Sequence, residues 1–364
     1  MIVYAYEEEW LSTPESFAQR WNERPFLVIW EVTRRCALAC RHCRAAAHSR
    51  WDRSELSTEA GRRFLEQVAE LGPKVMVLTG GDPFARGDLL ELVRFGVKEC
   101  GLNLALSPSA TPEFLEAPLM AFAEAGVRRV SFSLDGAEEA THDAFRGVAG
   151  TWRRTMTAVA KARGAGLEVQ INTTLGAMNV HEFEGLERVV EEIRPAMWNV
   201  FFLVPTGRGR REVGLGAEET ERILERLAAV EQEAPFAVKT TEAPQFRRVA
   251  LQRWRKIGGR RPPRSLGVGD GRGCVFVSHR GEVFPSGFLP VPCGNIQERS
   301  VGKIYRQHYV FRQLRDADQL KGKCGRCEYR WMCGGSRARA FAVKGDYLAS
   351  EPSCPYQPGG VDGC

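Results

Sequence analysis

The chain has 364 residues, 51 Lys and Arg against 45 Asp and Glu, a net charge of +6 and 43% hydrophobic residues. That length predicts about two domains, and the mild positive charge lacks the aromatic–basic repeat of a nucleic-acid binder. No apolar run is long enough for a membrane span, and Glu7, Glu8 and Glu9 near the start leave no basic segment for a secretory signal. Eleven cysteines in such a chain point to metal rather than disulfides. A reducing, cytoplasmic compartment is the expectation.

In chain order, residues 26–31 read as a strand that delivers Cys36-Ala-Leu-Ala-Cys40-Arg-His-Cys43. Three thiols at that spacing can reach three corners of one iron–sulfur cube from a single loop, leaving one iron open. Zinc with His42 or a distant residue is the alternative, although zinc sites close with pairs such as C-x2-C. A helix starts at Ser57-Thr58-Glu59, with Phe64, Leu65, Val68 and Leu71 on one face. Strand 75–78 ends in Thr79-Gly80-Gly81-Asp82-Pro83. Helix 89–100, strand 103–106, helix 113–125 and strand 129–134 follow, the last ending in Ser133-Leu134-Asp135-Gly136. Helix 151–165, strand 168–172, helix 182–193 and strand 198–204 complete the series. Alternation of this kind predicts an α/β fold with a parallel sheet and helices outside. Every motif sits at the C-terminal end of a strand, where barrel enzymes place their chemistry.

The pattern C-x3-C-x2-C, with His42 before the last thiol, resembles the signature of the radical S-adenosylmethionine (SAM) enzymes. Residues 24–235 would then form that family's partial (β/α)6 TIM-like barrel. The resemblance implies that SAM chelates the open iron of a 4Fe–4S cluster on Cys36, Cys40 and Cys43. It is then split to a hydrogen-abstracting 5′-deoxyadenosyl radical. Gly80-Gly81-Asp82-Pro83 resembles the family's Gly-Gly-Glu-Pro motif, where glycines admit a ligand close to the backbone; Asp82 for Glu is a departure. By the same resemblance Ser133 and Asp135 face the ribose and methionyl part of SAM. Arg146, in His142-Asp143-Ala144-Phe145-Arg146-Gly147, would pair its carboxylate. Asn172-Thr173-Thr174 and, more weakly, Ser107 and Ser109 are further contacts. Pro205-Thr206-Gly207-Arg208-Gly209 would approach adenine.

Residues 1–23 read as an N-terminal extension. Residues 236–270 read as a linker with strand Ala237–Thr241 and a helix over 244–257, closed by Gly258-Gly259-Arg260-Arg261-Pro262-Pro263-Arg264. In 271–364, Cys324, Cys327, Cys333 and Cys354 could close a complete coordination shell. Their spacing resembles the SPASM/twitch extension of radical SAM enzymes and implies one auxiliary 4Fe–4S cluster, with zinc as the alternative. Cys274 matches the first cysteine of a second auxiliary site, but Ser286 and Arg337 stand where further cysteines are expected. Cys293 is the remaining route to that site. Cys100 and Cys364 have no evident partners.

Phe284-Pro285-Ser286-Gly287-Phe288-Leu289-Pro290 and Cys333-Gly-Gly-Ser-Arg-Ala-Arg339 resemble the haem-biosynthesis branch, whose haem synthase decarboxylates propionates of iron-coproporphyrin. Arg208, Arg210, Arg211, Arg247 and Arg248 are candidate propionate holders by charge type. The substrate is thus a small molecule, an iron-porphyrin on this reading, with an external flavodoxin or ferredoxin as donor and neither nucleic acid nor membrane as partner. A peptide-modifying maturase is the enzymatic alternative, with a peptide as substrate. Only 35 residues precede Cys36, too few for a separate recognition domain. A non-enzymatic iron–sulfur or zinc-binding protein is the third reading.

Overall fold

The structure, a computed structural model, describes residues 19–257 and 267–359. The Gly258–Arg264 motif, Cys364 and most of the N-terminal extension lie outside them. Among the described residues no helix is long and apolar enough to cross a membrane.

Strands β1 (Leu27–Glu31), β2 (Val75–Thr79), β3 (Leu104–Leu106), β4 (Arg129–Ser133), β5 (Glu168–Leu175), β6 (Met197–Phe202), β7 (Ala237–Thr241), β8 (Cys274–Val277) and β9 (Val283–Phe284) form one sheet. Its order is β7-β6-β5-β4-β3-β2-β1-β8-β9. All neighbours are parallel except β8 and β9. The helices are α1 (Thr58–Leu71), α2 (Leu89–Arg94), α3 (Pro112–Glu116), α4 (Leu119–Ala125), α5 (Glu139–Arg146), α6 (Thr151–Gly164), α7 (Phe183–Ile193), α8 (Ala217–Glu233) and α9 (Phe246–Ile257). The C-terminal part adds α10 (Val301–Gln307), α11 (Tyr309–Arg315), α12 (Gly322–Gly325) and α13 (Arg337–Lys344).

The sheet curls into an open half-barrel: alternation predicts its parallel strands, and the family resemblance implies the partial barrel. Its outer face is packed under helices: Trp30 meets Phe64 of α1 edge-on at 5.3 Å, Phe132 meets Phe114 of α3 at 5.0 Å, and Trp198 stacks on Phe183 of α7. Trp30, Phe64, Phe132 and Trp198 are fully buried, and truncating any of them to alanine costs about 3–5 kcal/mol. The inner residues that alternate with them, such as Ile29, Val77, Ser133 and Asn172, are only half-buried. One face thus holds the fold together while the other stays open to a ligand.

Two expected helices change form for local reasons. The 113–125 helix is divided because Pro118 holds Ala117 extended (ψ 147°), separating α3 from α4. The 89–100 helix ends as a π-helical turn, Phe95–Glu99, where Gly96 passes within contact of Leu104 on β3. Helices α5 and α8 are absent from the expectations. In α8 the signal was present, since Ile223, Leu224, Leu227 and Ala228 recur on a helical face and are buried. Strand β7, in the stretch read as linker, pairs with β6 in parallel from Met197↔Ala237 to Phe201↔Thr241, so α8 is its crossover helix. Strand β8 likewise joins β1, which ties the C-terminal part to the barrel's first strand.

Glu231 of α8 has a buried carboxylate oxygen without a hydrogen-bond partner among the described residues, and burial pushes its pKa up to about 7. A carboxyl raised on folding favours the protonated native state. The stability it adds is therefore full below the unfolded pKa near 4.5 and lost as pH rises through about 7. Glu231→Gln is expected to raise the unfolding midpoint by a few degrees at pH 8 and to leave it unchanged at pH 4. Thermal unfolding at the two pH values checks this, and an equal effect at both contradicts it.

Candidate cluster and cofactor site

The cysteine loop leaves β1 at Glu31 and closes on itself: Cys36 N–H donates to His48 O (2.9 Å) and His48 N–H to Arg34 O (3.2 Å). Within it Cys43 N–H donates to Cys40 O (3.3 Å). Cys36 and Cys40 are buried and Cys43 half-buried. Each thiol faces an N–H donor: Leu38 N–H on Cys36 Sγ (3.3 Å), Arg146 Nη1 on Cys40 Sγ (3.6 Å) and Ala47 N–H on Cys43 Sγ (3.4 Å). Burial nevertheless pushes the Cys36 thiol up to about 12 and raises Cys40. Bare thiolates are thus disfavoured here, and a bound cation that takes all three is what would reverse the balance.

Three segments grip this loop by backbone contact. Gly81 N–H donates to Thr33 O (2.8 Å) and Asp82 N–H to Arg35 O (2.7 Å). A Cβ on Gly80 would lie 2.6 Å from Thr33 O, and one on Gly81 2.4 Å from Arg35 O, so no side chain fits. The second grip is the end of α5, where Ala39 N–H meets Arg146 O (3.2 Å) and Arg41 N–H meets Phe145 O (3.0 Å). The third is Gly207-Arg208. Arg208 N–H donates to Cys43 O (3.0 Å), and its guanidinium to Cys40 O (2.8 Å) and Ala47 O (2.6 Å). Gly207, at φ 55°, is 2.2 Å from Arg44 O by its missing Cβ. Arg208 is therefore anchored to the loop through Nε and Nη1, while its buried Nη2 has no hydrogen-bond partner among the described residues. Next to Cys43, Arg44 pairs with Glu31 (2.9 Å) and lies over Phe276, while Glu31 also meets His279 at 2.9 Å.

The expected SAM residues fall around the same loop. Asp82 is fully buried, accepting from Thr111 Oγ1 and from Phe84 N–H (3.1 Å), and burial raises it to about 6. Its side chain is thus occupied, and the motif meets the cysteine loop through its backbone. Pro83 is buried and opens the short turn that Asp82 caps. His42 stacks on Phe145 at 4.3 Å, its buried Nδ1 without a hydrogen-bond partner among the described residues. Arg146 pairs with Asp135 at 2.5 Å in addition to Cys40, yet its Nε has no hydrogen-bond partner among the described residues. Asp135 accepts from Thr174 N–H (2.7 Å). Ser133 and Asn172 are register partners on the inner face. Ser109 bridges the thiol of Cys36 (3.9 Å) and Gly81 O (3.3 Å). The unpartnered donor on Arg146 and orphaned Nδ1 of His42, beside three thiols, fit a cluster with a carboxylate-bearing ligand.

Sequence reasoning missed several supporting residues. His142 Nδ1 accepts from Asp135 N–H (3.1 Å), and burial lowers it to about 3, so it is neutral. Asn179 Nδ2 holds Asp135 O and Thr174 O, each at 2.8 Å. His142 lies in α5, a helix absent from the expectations, and Asn179 in a polar turn that periodicity does not distinguish from a solvated loop.

The second cysteine set also comes together. Cys324, Cys327, Cys333 and Cys354 line one small cavity with Arg248, Tyr329, Glu351 and Tyr356. Cys324 Sγ accepts from Glu351 N–H (3.3 Å) and Cys333 Sγ from Gly335 N–H (3.4 Å); burial pushes Cys333 up to about 12. Ser286 and Arg337, where cysteines are expected, have other tasks. Ser286 Oγ caps the N–H groups of Phe288 and Leu289, each at 3.2 Å, while Arg337 donates to Tyr347 O, Ala349 O and Cys324 Sγ. Cys293 lies in the apolar core, donating to Val291 O, and Cys100 packs against it. Arg247 donates to Met332 O and Val268 O, and Arg248 is held by Glu221 at 2.6 Å, so neither is available for a propionate. Arg210 is exposed. A separate hollow of about 420 Å³ between α7 and α8 contains none of these residues.

A half-barrel with three thiols at the mouth of its first strand defines the class, and residues 30–192 match the model of the Radical SAM superfamily. The chain belongs to that superfamily and is a radical SAM enzyme. It is 40% identical, over 92% of its length and 97% of the relative's, to the AdoMet-dependent heme synthase of Methanosarcina barkeri. To the AdoMet-dependent heme synthase of Nitratidesulfovibrio vulgaris it is 38% identical over 93% and 94% of the two chains. These relatives place it in the haem-biosynthesis branch and set aside the non-enzymatic reading. Among solved structures it resembles Streptococcus suis SuiB bound to S-adenosylmethionine, with a TM-score of 0.69, 15% identity and coverage of 92% and 78%, a likeness of fold.

Gly207→Ala should lower the iron retained after anaerobic reconstitution by at least half, because the new methyl must push the Cys43–Arg44 backbone aside. Gly216→Ala, with open space around its Cβ, is the control. Iron per chain after gel filtration checks this; equal retention in both variants contradicts it.

Proposed function

We propose that this enzyme oxidatively decarboxylates propionate side chains of iron-coproporphyrin to vinyl groups. Each conversion releases carbon dioxide, one hydrogen atom and one electron, so atoms and charge balance. The observation that carries the reading is the 40% and 38% identity with two heme synthases over 92% and 93% of the chain.

Cys36, Cys40 and Cys43 would hold a 4Fe–4S cluster. His42, Gly80–Pro83, Ser133, Asp135, Arg146 and Asn172 would surround SAM. When bound, cluster and SAM together supply the electron and the hydrogen-abstracting 5′-deoxyadenosyl group. The protein's own part is to hold three thiols at fixed spacing, to offset their charge with the Arg146 guanidinium and main-chain N–H groups, and to keep the site enclosed. The unpartnered Nε of Arg146 would donate to the SAM carboxylate. Cys324, Cys327, Cys333 and Cys354 would hold one auxiliary 4Fe–4S cluster as the outlet for the surplus electron, with an external flavodoxin or ferredoxin as donor. Among the described residues no three His, Cys, Asp or Glu converge as ligands of a single ion do.

Reconstituted protein is expected to bind about eight irons, falling to about four in a Cys36→Ala, Cys40→Ala, Cys43→Ala variant. With dithionite, SAM and iron-coproporphyrin the parent should yield 5′-deoxyadenosine, carbon dioxide and vinyl product, and the variant none. Product analysis by mass spectrometry checks this. A parent that leaves the porphyrin unchanged and crosslinks a precursor peptide would replace the haem reading with the maturase reading.

A further inference from the structure

The inner face of β7 carries a charge that the site described above does not use. Register runs straight across four strands: Ser133 pairs with Asn172, Asn172 with Asn199, and Asn199 with Lys239. Partners in register point to the same face. The residues that alternate with this row, Phe132, Ile171, Trp198 and Val238, are buried on the helix-covered side, so the row itself looks into the half-barrel. Thr241 belongs to the same face, its hydroxyl donating to Asn199 Oδ1 at 3.0 Å. So does Phe201, whose ring lies 6.1 Å from that of Phe288.

Lys239 is the cation of this row. Solvent reaches it, yet surrounding protein, aided by the like charge of Arg247, holds its ammonium below the ordinary lysine range despite the opposing effect of Cys274. A side chain that water reaches and protein surrounds lines a recess. Among the described residues its ammonium has no hydrogen bond or ion pair. Of the arginines once counted as propionate holders, Arg247 and Arg248 are engaged by carbonyls or carboxylates, and Arg208 is fixed to the cysteine loop by two of its three nitrogens. An exposed cation that faces the half-barrel without a counter-charge is open to an arriving carboxylate, which it meets with a charge-assisted hydrogen bond.

We propose that Lys239 holds a carboxylate of the substrate inside the half-barrel, with Asn172, Asn199 and Thr241 lining the same recess. Which carboxylate it is rests on the haem-synthase reading: a propionate of a tetracarboxylate porphyrin, its ring against Phe201 and Phe288.

The test titrates reconstituted enzyme anaerobically with iron-coproporphyrin and with its tetramethyl ester, following the Soret band. Lys239→Met is expected to weaken binding of the acid by about 10- to 100-fold. Lys239→Arg should restore most of it, and the ester should bind parent and Lys239→Met alike. Equal binding of the acid by parent and Lys239→Met overturns the proposal. In parallel, trinitrobenzenesulfonate labelling of Lys239 in the parent, read by peptide mass spectrometry, should be blocked by the acid and not by the ester. Should the parent bind no porphyrin while an acidic peptide protects Lys239, the haem reading falls and the carboxylate anchor stands. Should neither porphyrin nor acidic peptide protect it, the anchor falls.

Discussion

The structure depends on how closely foreign backbone approaches the loop from Thr33 to Ala47. Three thiols on a flexible loop would hold a cluster poorly, because ordering the loop would be charged against binding. Here Gly80 and Gly81 abut Thr33 and Arg35, the end of α5 meets Ala39 and Arg41, and Gly207-Arg208 meets Cys40, Cys43 and Ala47. Each contact comes from the C-terminal end of a different strand or from the helix after it. The parallel sheet therefore carries the loop's geometry, and the outer-face core of Trp30, Phe132 and Trp198 carries the sheet.

Charge placement follows the same logic. Arg146 joins Asp135 to Cys40, and Arg337 joins two carbonyls to Cys324, so each cysteine set has a guanidinium against it. Buried thiols are reluctant to ionise; neighbouring cations and N–H donors lessen that reluctance without removing it. A buried arginine is costly unless paired, and the buried Arg146, Arg248 and Arg339 are each paired with a carboxylate.

Much of the site was legible in the sequence because its chemistry is local. The C-x3-C-x2-C run, Gly80-Gly81-Asp82-Pro83 and the Cys324–Cys333 run each fit in a single segment, and alternation gave the parallel sheet. What escaped was long-range. Nothing in the sequence shows that Arg208 reaches back to Cys40 across the chain, or that β7 and β8 extend the sheet at opposite ends. The arginines chosen by charge type as propionate holders illustrate the point: a residue's charge is local, while its partners are set by topology. Lys239 was invisible for the same reason, since its place in the lumen comes from register across four strands.

In the proposed function Cys36, Cys40 and Cys43 would hold a cluster with one metal corner open to SAM. Electron paramagnetic resonance of the dithionite-reduced, reconstituted enzyme tests it most directly, in a variant whose Cys324, Cys327, Cys333 and Cys354 are all alanine so that one cluster signal remains. Adding SAM should shift that signal, because the amino acid part replaces whatever occupies the open iron. A spectrum that SAM leaves unchanged would contradict the account.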